Sequence, residues 1–117
     1  MADDLVLVID VGTGSARACV FSVPENRTLS VAARECPISH PAADRAEFDP
    51  RVWWEHIVSA AREAVVRADR PADRYLGITV TSLRQGFVLV DDDGESVAPG
   101  VLNYDRRGVR FTDVVDL

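Results

Sequence analysis

The first apolar stretch of the chain, interrupted by a polar turn, has a pattern that predicts a β-hairpin. An apolar run rich in Val and Ile reaches Asp10, a Gly-Thr-Gly-Ser turn follows at residues 12–15, and a second apolar run ends at Phe21. The glycines supply the backbone angles that a hairpin tip requires, so the two runs should pair as antiparallel strands.

A third strand follows the hairpin. Residues 24–27 form a turn, and apolar and polar residues then alternate from Thr28 to Cys36. Three consecutive antiparallel strands make a meander. Residues 37–48, with two prolines and mixed polarity, predict an irregular connection.

The next segment carries the signals of an amphipathic helix. Asp49 is a favourable N-cap, and Pro50 fits the first helical position. Apolar residues recur at helical spacing as far as Ala68 and include Trp53 and Trp54. We interpret this stripe as core that packs on the sheet, and we prefer burial of both tryptophans to a stacking platform for a ligand.

The remaining part of the chain predicts further strands. Residues 75–81 alternate and, after a helical crossover, should run parallel to the first strand. Apolar segments at 87–90 and 97–102 flank an acidic turn at 91–94, and residues 108–117 predict the opening of a helix. The acidic turn lacks the downstream Glu of a calcium loop, so we expect no metal there. The pattern as a whole predicts a mixed α/β sheet.

Composition narrows the class of protein. The chain has 117 residues, of which 47% are hydrophobic, and this suits one small domain with a core. A net charge of −6 disfavours nucleic acid and anionic membranes as partners, because both require a basic surface. The apolar runs are too short to span a bilayer, and the acidic N-terminus is unlike a signal peptide. We therefore expect a cytoplasmic protein with no nucleic-acid or membrane partner.

The two cysteines predict neither a disulfide nor a metal site. A hairpin centred near Glu25 and Asn26 would place Cys19 opposite about Ala32, away from Cys36. We interpret both thiols as small buried hydrophobes.

The polar chemistry of the chain is concentrated at the tip of the first hairpin. Gly12 and Gly14 let the main chain approach a ligand closely, so that N–H groups can cradle an anion. Thr13 and Ser15 add hydroxyl groups. Arg17 offers a planar fork for phosphate oxygens, and Asp10 offers a carboxylate for hydrated Mg²⁺.

The plain alternative is a hairpin tip that binds nothing. The stretch is not a Walker A loop, because no Gly-Lys-Ser/Thr follows. It is not a dinucleotide fingerprint either, because no third glycine opens a helix.

Three separated segments are similar, in order and spacing, to the N-terminal part of the FGGY carbohydrate kinases of the actin-like ATPase superfamily. They are Asp-Val-Gly-Thr-Gly-Ser-Ala-Arg at 10–17, Phe-Asp-Pro-Arg-Val-Trp-Trp at 48–54, and a stretch from 77 to 107 that includes Ser-Leu-Arg-Gln-Gly and Asn-Tyr-Asp-Arg-Arg. The residues of the first and third segments most resemble those of the autoinducer-2 kinase branch.

The resemblance implies a ribonuclease H-like mixed sheet with a three-stranded antiparallel meander, a crossover helix and further strands. Residues 1–117 would be an incomplete domain, the N-terminal portion of the family's N-terminal domain, with the rest of that domain and the C-terminal domain lying downstream. The implied activity is phosphorylation of a hydroxyl group of a sugar or polyol with ATP and Mg²⁺. A homodimer is one assembly to be tested.

The resemblance also assigns roles by position. ATP phosphates would contact Gly12, Thr13, Gly14, Ser15 and Arg17. Asp10 would hold Mg²⁺ through water, and the substrate would contact Arg84, Gln85 and Asp105. Gln85 stands where the family often has an acid, and its amide can still donate to and accept from a hydroxyl. The family's general base lies downstream, so we expect no catalytic residue in this chain and no activity from it alone.

Two other hypotheses stay open. One is an actin-like ATPase of another type, such as a chaperone or cell-shape protein, which shares the acid-x-Gly-Thr hairpin. The presence of Arg84, Gln85 and the 103–107 segment argues against it, and sugar-independent ATP hydrolysis would favour it. The other is a non-catalytic binding or assembly module with the same fold, which absence of phosphate binding would favour.

Overall fold

The structure is a computed structural model that describes residues 4–114, and of residues 112–114 it describes the backbone alone. Four strands form one sheet in the order β3-β2-β1-β5. Their bounds are Leu5–Val11 for β1, Ser15–Ser22 for β2, Arg27–Glu35 for β3 and Tyr75–Ser82 for β5. A second, two-stranded sheet pairs β4 (Glu47–Phe48) with β6 (Gly100–Val101).

The pairing of the large sheet agrees with the pattern of the sequence. β1 and β2 are antiparallel, β2 and β3 are antiparallel, and β5 runs parallel to β1 after the helical crossover. The predicted meander, crossover helix and mixed sheet are therefore confirmed. The 91–94 turn is also present, and the Asp91 carboxylate accepts from the backbone N–H groups of Asp93 and Glu95 at 3.0 and 2.9 Å.

The helix α1 spans Pro50–Ala68 and begins as its sequence predicts. The Asp49 side chain accepts from the Arg51 N–H at 2.9 Å, which satisfies one of the first free donors of the helix. A short 3₁₀ helix at Ala72–Arg74 then leads into β5.

The buried face of α1 is narrower than predicted. Trp53 is buried together with Ala60, Ala64 and Ala68. Trp54 is 67% exposed, so its predicted burial is wrong. Successive helical residues point about 100° apart, so a helix that turns Trp53 inward must turn Trp54 away from the same surface.

Two apolar cores hold the elements together. The first lies between α1 and strands β1–β3 and contains Leu5 and Val20. The second surrounds Trp53, whose ring stacks on Phe48 with a centroid distance of 4.1 Å and whose Nε1–H donates to the Pro37 carbonyl at 2.8 Å. Val11 and Leu102 belong to this second core, so it joins the end of β1 to the segment that follows β6.

Three predictions for the middle and end of the chain need correction. Residues 87–90 do not form a strand. They make isolated bridges, Phe87 with Val101 and Val90 with Ser96. Phe87, Leu89 and Val90 are 53%, 54% and 59% exposed, so little of this segment is buried to favour a regular ladder. Of the strand predicted at 97–102, residues 100–101 form β6. The connection predicted as irregular at 37–48 contains the short strand β4.

The predicted helix over 108–117 is a 3₁₀ helix at Val109–Val114, and residues 115–117 lie outside the described part. Within residues 4–114, no helix is long and apolar enough to cross a membrane.

The cysteines are free, as predicted, but their surroundings differ. Cys19 pairs with Val31, one position from the expected Ala32, and is half-buried, so its predicted full burial is wrong. Cys36 is buried in the second core. Burial raises the pKa of both thiols, which disfavours the reactive thiolate.

Candidate active site

The tip between β1 and β2 brings Asp10 and Arg17 side by side. They are register partners across the hairpin, and Arg17 Nη2 donates to Asp10 Oδ2 at 3.3 Å. Both side chains are about half exposed. Each can therefore reach solvent or a ligand beyond its partner.

The backbone of the tip is closed by one internal bond. The Gly12 N–H donates to the Ser15 carbonyl at 2.9 Å, so this N–H shapes the turn. Gly14 has a φ of +96°, which an L side chain adopts only with strain. Of the two tip glycines, Gly14 is the one whose backbone angle requires a glycine.

Neighbouring strand ends are tied to this tip. The Cys36 N–H donates to the Gly14 carbonyl at 2.8 Å, and the Leu83 N–H donates to the Val11 carbonyl at 2.8 Å. These bonds bring the residues that follow β3 and β5 to the same end of the sheet. Thr13 of the predicted phosphate tip therefore lies with Arg84 and Gln85. Asp10 and Arg17, in contrast, line a separate cavity on the sheet.

A cavity of about 390 Å³ forms where these segments meet. It is lined by Thr13, Leu83, Arg84, Gln85 and Asn103. Gln85 has a φ of +63°, an uncommon angle for a residue with a side chain and one often found at functional sites. The lining offers a hydroxyl, a guanidinium and two amides, which can bind anionic and hydroxyl-bearing ligands.

Asn103 was not among the residues to which the sequence assigned a role. It opens the Asn-Tyr-Asp-Arg-Arg segment, and its position in that motif was the only signal for it. Its place beside Arg84 and Gln85 comes from the backbone bonds of residues 102–107, which the sequence does not reveal.

Asp105 is engaged within the protein. Its side chain is 3% exposed, and Arg107 donates to it through Nε at 2.8 Å and Nη2 at 2.6 Å. Arg107 Nη2 also donates to Glu47 Oε1 at 2.7 Å. The hydrogen bond from the Arg107 guanidinium holds the pKa of the Asp105 carboxyl well below its usual range, despite burial, which acts in the other direction.

Asp10 is the carboxylate that the hairpin offers to a cation. Among residues 4–114 there is no group of three or more His, Cys, Asp or Glu side chains that could hold a metal ion. A single half-exposed carboxylate at the end of a strand suits Mg²⁺, which keeps several waters and takes its other ligands from phosphates.

Residues 5–115 match the family model of the N-terminal domain of the FGGY carbohydrate kinases. The chain belongs to the FGGY family of carbohydrate kinases. The match covers the hairpin tip, α1 and the segments that line the cavity, so the resemblance of the three sequence motifs is confirmed for the family.

Relatives of this FGGY chain agree with the assignment. The glycerol kinase of Koribacter versatilis is 35% identical over 109 residues, which are 92% of the chain and 22% of that protein. YoaC of Bacillus subtilis is 37% identical over 105 residues, which are 87% of the chain and 20% of YoaC. The chain therefore spans about a fifth of the length of these relatives.

Solved structures confirm the ribonuclease H-like, actin-like ATPase fold. The xylulose kinase of Rhodospirillum rubrum superposes with a TM-score of 0.83 at 30% identity, over 96% of the chain and 24% of that protein. The glycerol kinase of Plasmodium falciparum, solved with ADP, superposes with a TM-score of 0.77 at 14% identity and supports the fold alone.

Proposed function

We propose that this chain is the phosphate-binding part, and one side of the substrate site, of an ATP-dependent kinase that phosphorylates a hydroxyl group of a sugar or polyol. The observation that carries the proposal is the shared cavity, in which Thr13 of the hairpin tip lies with Arg84 and Gln85. A phosphoryl donor at the tip and a hydroxyl acceptor at Arg84 would then be neighbours, and positioning of this kind dominates phosphoryl transfer.

On the phosphate side, the tip would bind through hydroxyl groups, the guanidinium fork and the main chain of the turn. Thr13, Gly14, Ser15 and Arg17 are the proposed donors, and Gly12 shapes the turn that presents them. Arg17 donates to Asp10 at 3.3 Å, and its side chain is 57% exposed, so its fork is accessible to a phosphate.

Asp10 would hold Mg²⁺ through water. Bound Mg²⁺ would neutralise charge on the phosphates during transfer. The same carboxylate orients Arg17, so one residue would serve the metal and the guanidinium together.

On the substrate side, Arg84 would donate to hydroxyl oxygens, and the Gln85 amide would both donate and accept. A neutral amide in this place suits an uncharged polyol. The sequence also predicts a substrate role for Asp105, whose carboxylate is already bonded to Arg107.

The kinase reaction would require more than these 117 residues. The relatives are about five times as long, and the family's general base is expected downstream of this segment. We therefore propose that residues 1–117 are the N-terminal portion of the FGGY N-terminal domain and are inactive alone. A cytoplasmic location, a homodimeric assembly and membership of the autoinducer-2 branch complete the proposal.

The test is coupled ADP release with Mg-ATP over a panel of pentoses, polyols and the autoinducer-2 precursor, measured on the longest product of the reading frame that carries this chain. We expect turnover with at least one panel member, and Arg84→Ala should raise the KM for that substrate. Arg62→Ala, which changes an arginine of α1 away from the cavity, is the matched control. ATP hydrolysis that ignores the panel would favour another actin-like ATPase, and absence of nucleotide binding would favour a binding module.

A further inference from the structure

We propose that Asp105 is a positioning residue that holds Asn103 against the cavity, and that Asn103 is the substrate contact from this segment. We name the set of Asp105, Arg107 and Glu47 the Asp105 clamp. The inference rests on the proposed function, because it concerns the substrate side of the same cavity.

The carboxylate of Asp105 has no capacity left for a substrate hydroxyl. Its Oδ1 accepts from the Arg107 N–H at 3.0 Å and from Nε at 2.8 Å. Its Oδ2 accepts from the Ala46 N–H at 2.8 Å and from Nη2 of Arg107 at 2.6 Å. A carboxylate has about four acceptor sites, and these four bonds fill them. The side chain is also 3% exposed, so a ligand could not reach it without displacing its neighbours.

Arg107 connects this carboxylate to the small sheet. Its Nη2 donates to Glu47 Oε1 at 2.7 Å, and the Glu47 side chain is 13% exposed. A planar guanidinium that makes a bidentate contact with one carboxylate and reaches a second fixes both partners in angle as well as distance. The clamp therefore attaches the 103–107 segment to β4.

Backbone bonds hold the segment on both sides of Asn103. The Leu102 N–H donates to the Ala46 carbonyl at 3.0 Å, and the Arg106 N–H donates to the Asp44 carbonyl at 2.8 Å. Leu102 is 2% exposed and packs in the second core. Asn103 stands between these anchors and lines the cavity beside Arg84 and Gln85. Loss of the clamp would shift Asn103 and leave Thr13, Arg84 and Gln85 in place.

The kinetic test compares Asp105→Asn, Arg107→Lys, Asn103→Ala and the double variant Asp105→Asn/Asn103→Ala in the longest product of the reading frame. Loss of one hydrogen bond to a neutral amide weakens binding by about two- to tenfold, so each clamp variant should raise the substrate KM by about that factor. The double variant should be no worse than Asn103→Ala, because both changes remove the same contact. Glu95→Gln is the matched control, since it alters an exposed ion pair with Arg51.

A second measurement on the 117-residue chain needs no substrate. The NMR resonances of the Asn103 side-chain amide should shift in Asp105→Asn and Arg107→Lys and stay unchanged in Glu95→Gln. Unchanged Asn103 resonances, together with KM effects of Asp105→Asn and Asn103→Ala that multiply, would overturn the proposal and make Asp105 a direct contact.

The two proposals can fail separately. If the wild-type protein phosphorylates no sugar or polyol, the proposed function falls, and the amide resonances still decide whether the clamp positions Asn103. If Asp105→Asn does not fold, Arg107→Lys decides the outcome, because it keeps the positive charge and removes only the fork.

Discussion

At the scale of single residues, two backbone angles set the shape of the candidate site. Gly14 at the hairpin tip has a φ of +96°, and Gln85 beside the cavity has a φ of +63°. Both positions lie where the chain turns sharply next to polar groups. Gly14 bears this angle without strain, whereas Gln85 does so at a cost that the surrounding contacts must offset.

The first prediction concerns Gly14→Ala. A Cβ at this φ is strained whatever the space around it, and a left-handed residue other than glycine costs about 1–2 kcal/mol. We expect the free energy of unfolding, measured in urea, to fall by about that amount. Gly108→Ala is the control, since a Cβ there meets no atom within 4 Å. Equal stability of the two variants would contradict the role assigned to the tip.

At the scale of elements, α1 depends on the cap of its first turn and on an ion pair with the sheet. Asp49 caps the helix. Near its other end, Glu63 forms ion pairs with Arg34 of β3 and with Arg67 one turn later. The cap fixes where the helix starts above the second core, and the Arg34 pair ties it to β3.

The second prediction tests the cap. Asp49→Ala should reduce the free energy of unfolding by about 1 kcal/mol, because the N–H groups of the first turn lose their acceptor. Asp49→Asn keeps an acceptor oxygen and should lose only a small part of that. Urea unfolding curves of the two variants provide the comparison, and an equal loss in both would mean that charge, not capping, is the cause.

The third prediction concerns pH. The hydrogen bond from Arg34 lowers the pKa of the Glu63 carboxyl, with the Arg67 charge acting in the same direction. A lowered folded-state pKa stabilises the protein above the usual glutamate value and loses this effect as the pH falls below it. The stability difference between wild type and Glu63→Gln should therefore be constant near neutrality and shrink below about pH 4.5.

Thermal unfolding midpoints between pH 7 and pH 3 measure this difference. Glu55→Gln, at an exposed site on the same helix, is the matched control for the loss of a carboxylate. A difference between wild type and Glu63→Gln that grows towards acid pH would contradict the expected sign.

The sequence predicted those elements that local signals determine. The hairpin follows from the two apolar runs on either side of the turn at residues 12–15, and α1 follows from Asp49, Pro50 and the helical stripe. The small β4–β6 sheet could not be found this way, because each strand is two residues long and is defined by a partner about fifty residues away. The exposure of Trp54 depends on how α1 is rotated about its axis over the sheet. The helical spacing of the apolar residues did not decide which of the two adjacent tryptophans faces the sheet.

At the candidate site, the residues that the sequence singled out stay predictions. The tip residues and the pair Arg84 and Gln85 stood out because their motifs carry recognisable chemistry. The contribution of Asn103, and the fourfold engagement of the Asp105 carboxylate, depend on contacts with Ala46 and Arg107. A motif cannot distinguish an acid that faces a ligand from one that fixes its own loop.

At the scale of the whole molecule, the large sheet has an apolar edge. Within residues 4–114, β5 pairs along one edge only, with β1. Leu76, Ile78 and Val80 are between 63% and 66% exposed, because α1 lies over the other three strands. The strand has no charged residue and no proline, the features that normally protect an edge from pairing with another chain.

The fourth prediction follows from that edge. The isolated 117-residue chain should associate with a second copy of itself through β5, and its mass in light scattering should rise with concentration. Ile78→Thr should weaken this association. Val66→Thr is the matched control, because Val66 is 76% exposed on α1 and lies away from the strand edge. Equal association of both variants would exclude β5 as the contact.

Coupled ADP release with Mg-ATP and the best substrate of the panel decides whether this chain is part of a kinase. It should be measured on the 117-residue chain, on the longest product of its reading frame, and on that product with Asp10→Ala. We expect turnover by the long form alone and its loss in Asp10→Ala, whereas Asp92→Ala, a change in the acidic turn at 91–94, should remain active. Turnover by the short chain, or full activity of Asp10→Ala, would contradict it.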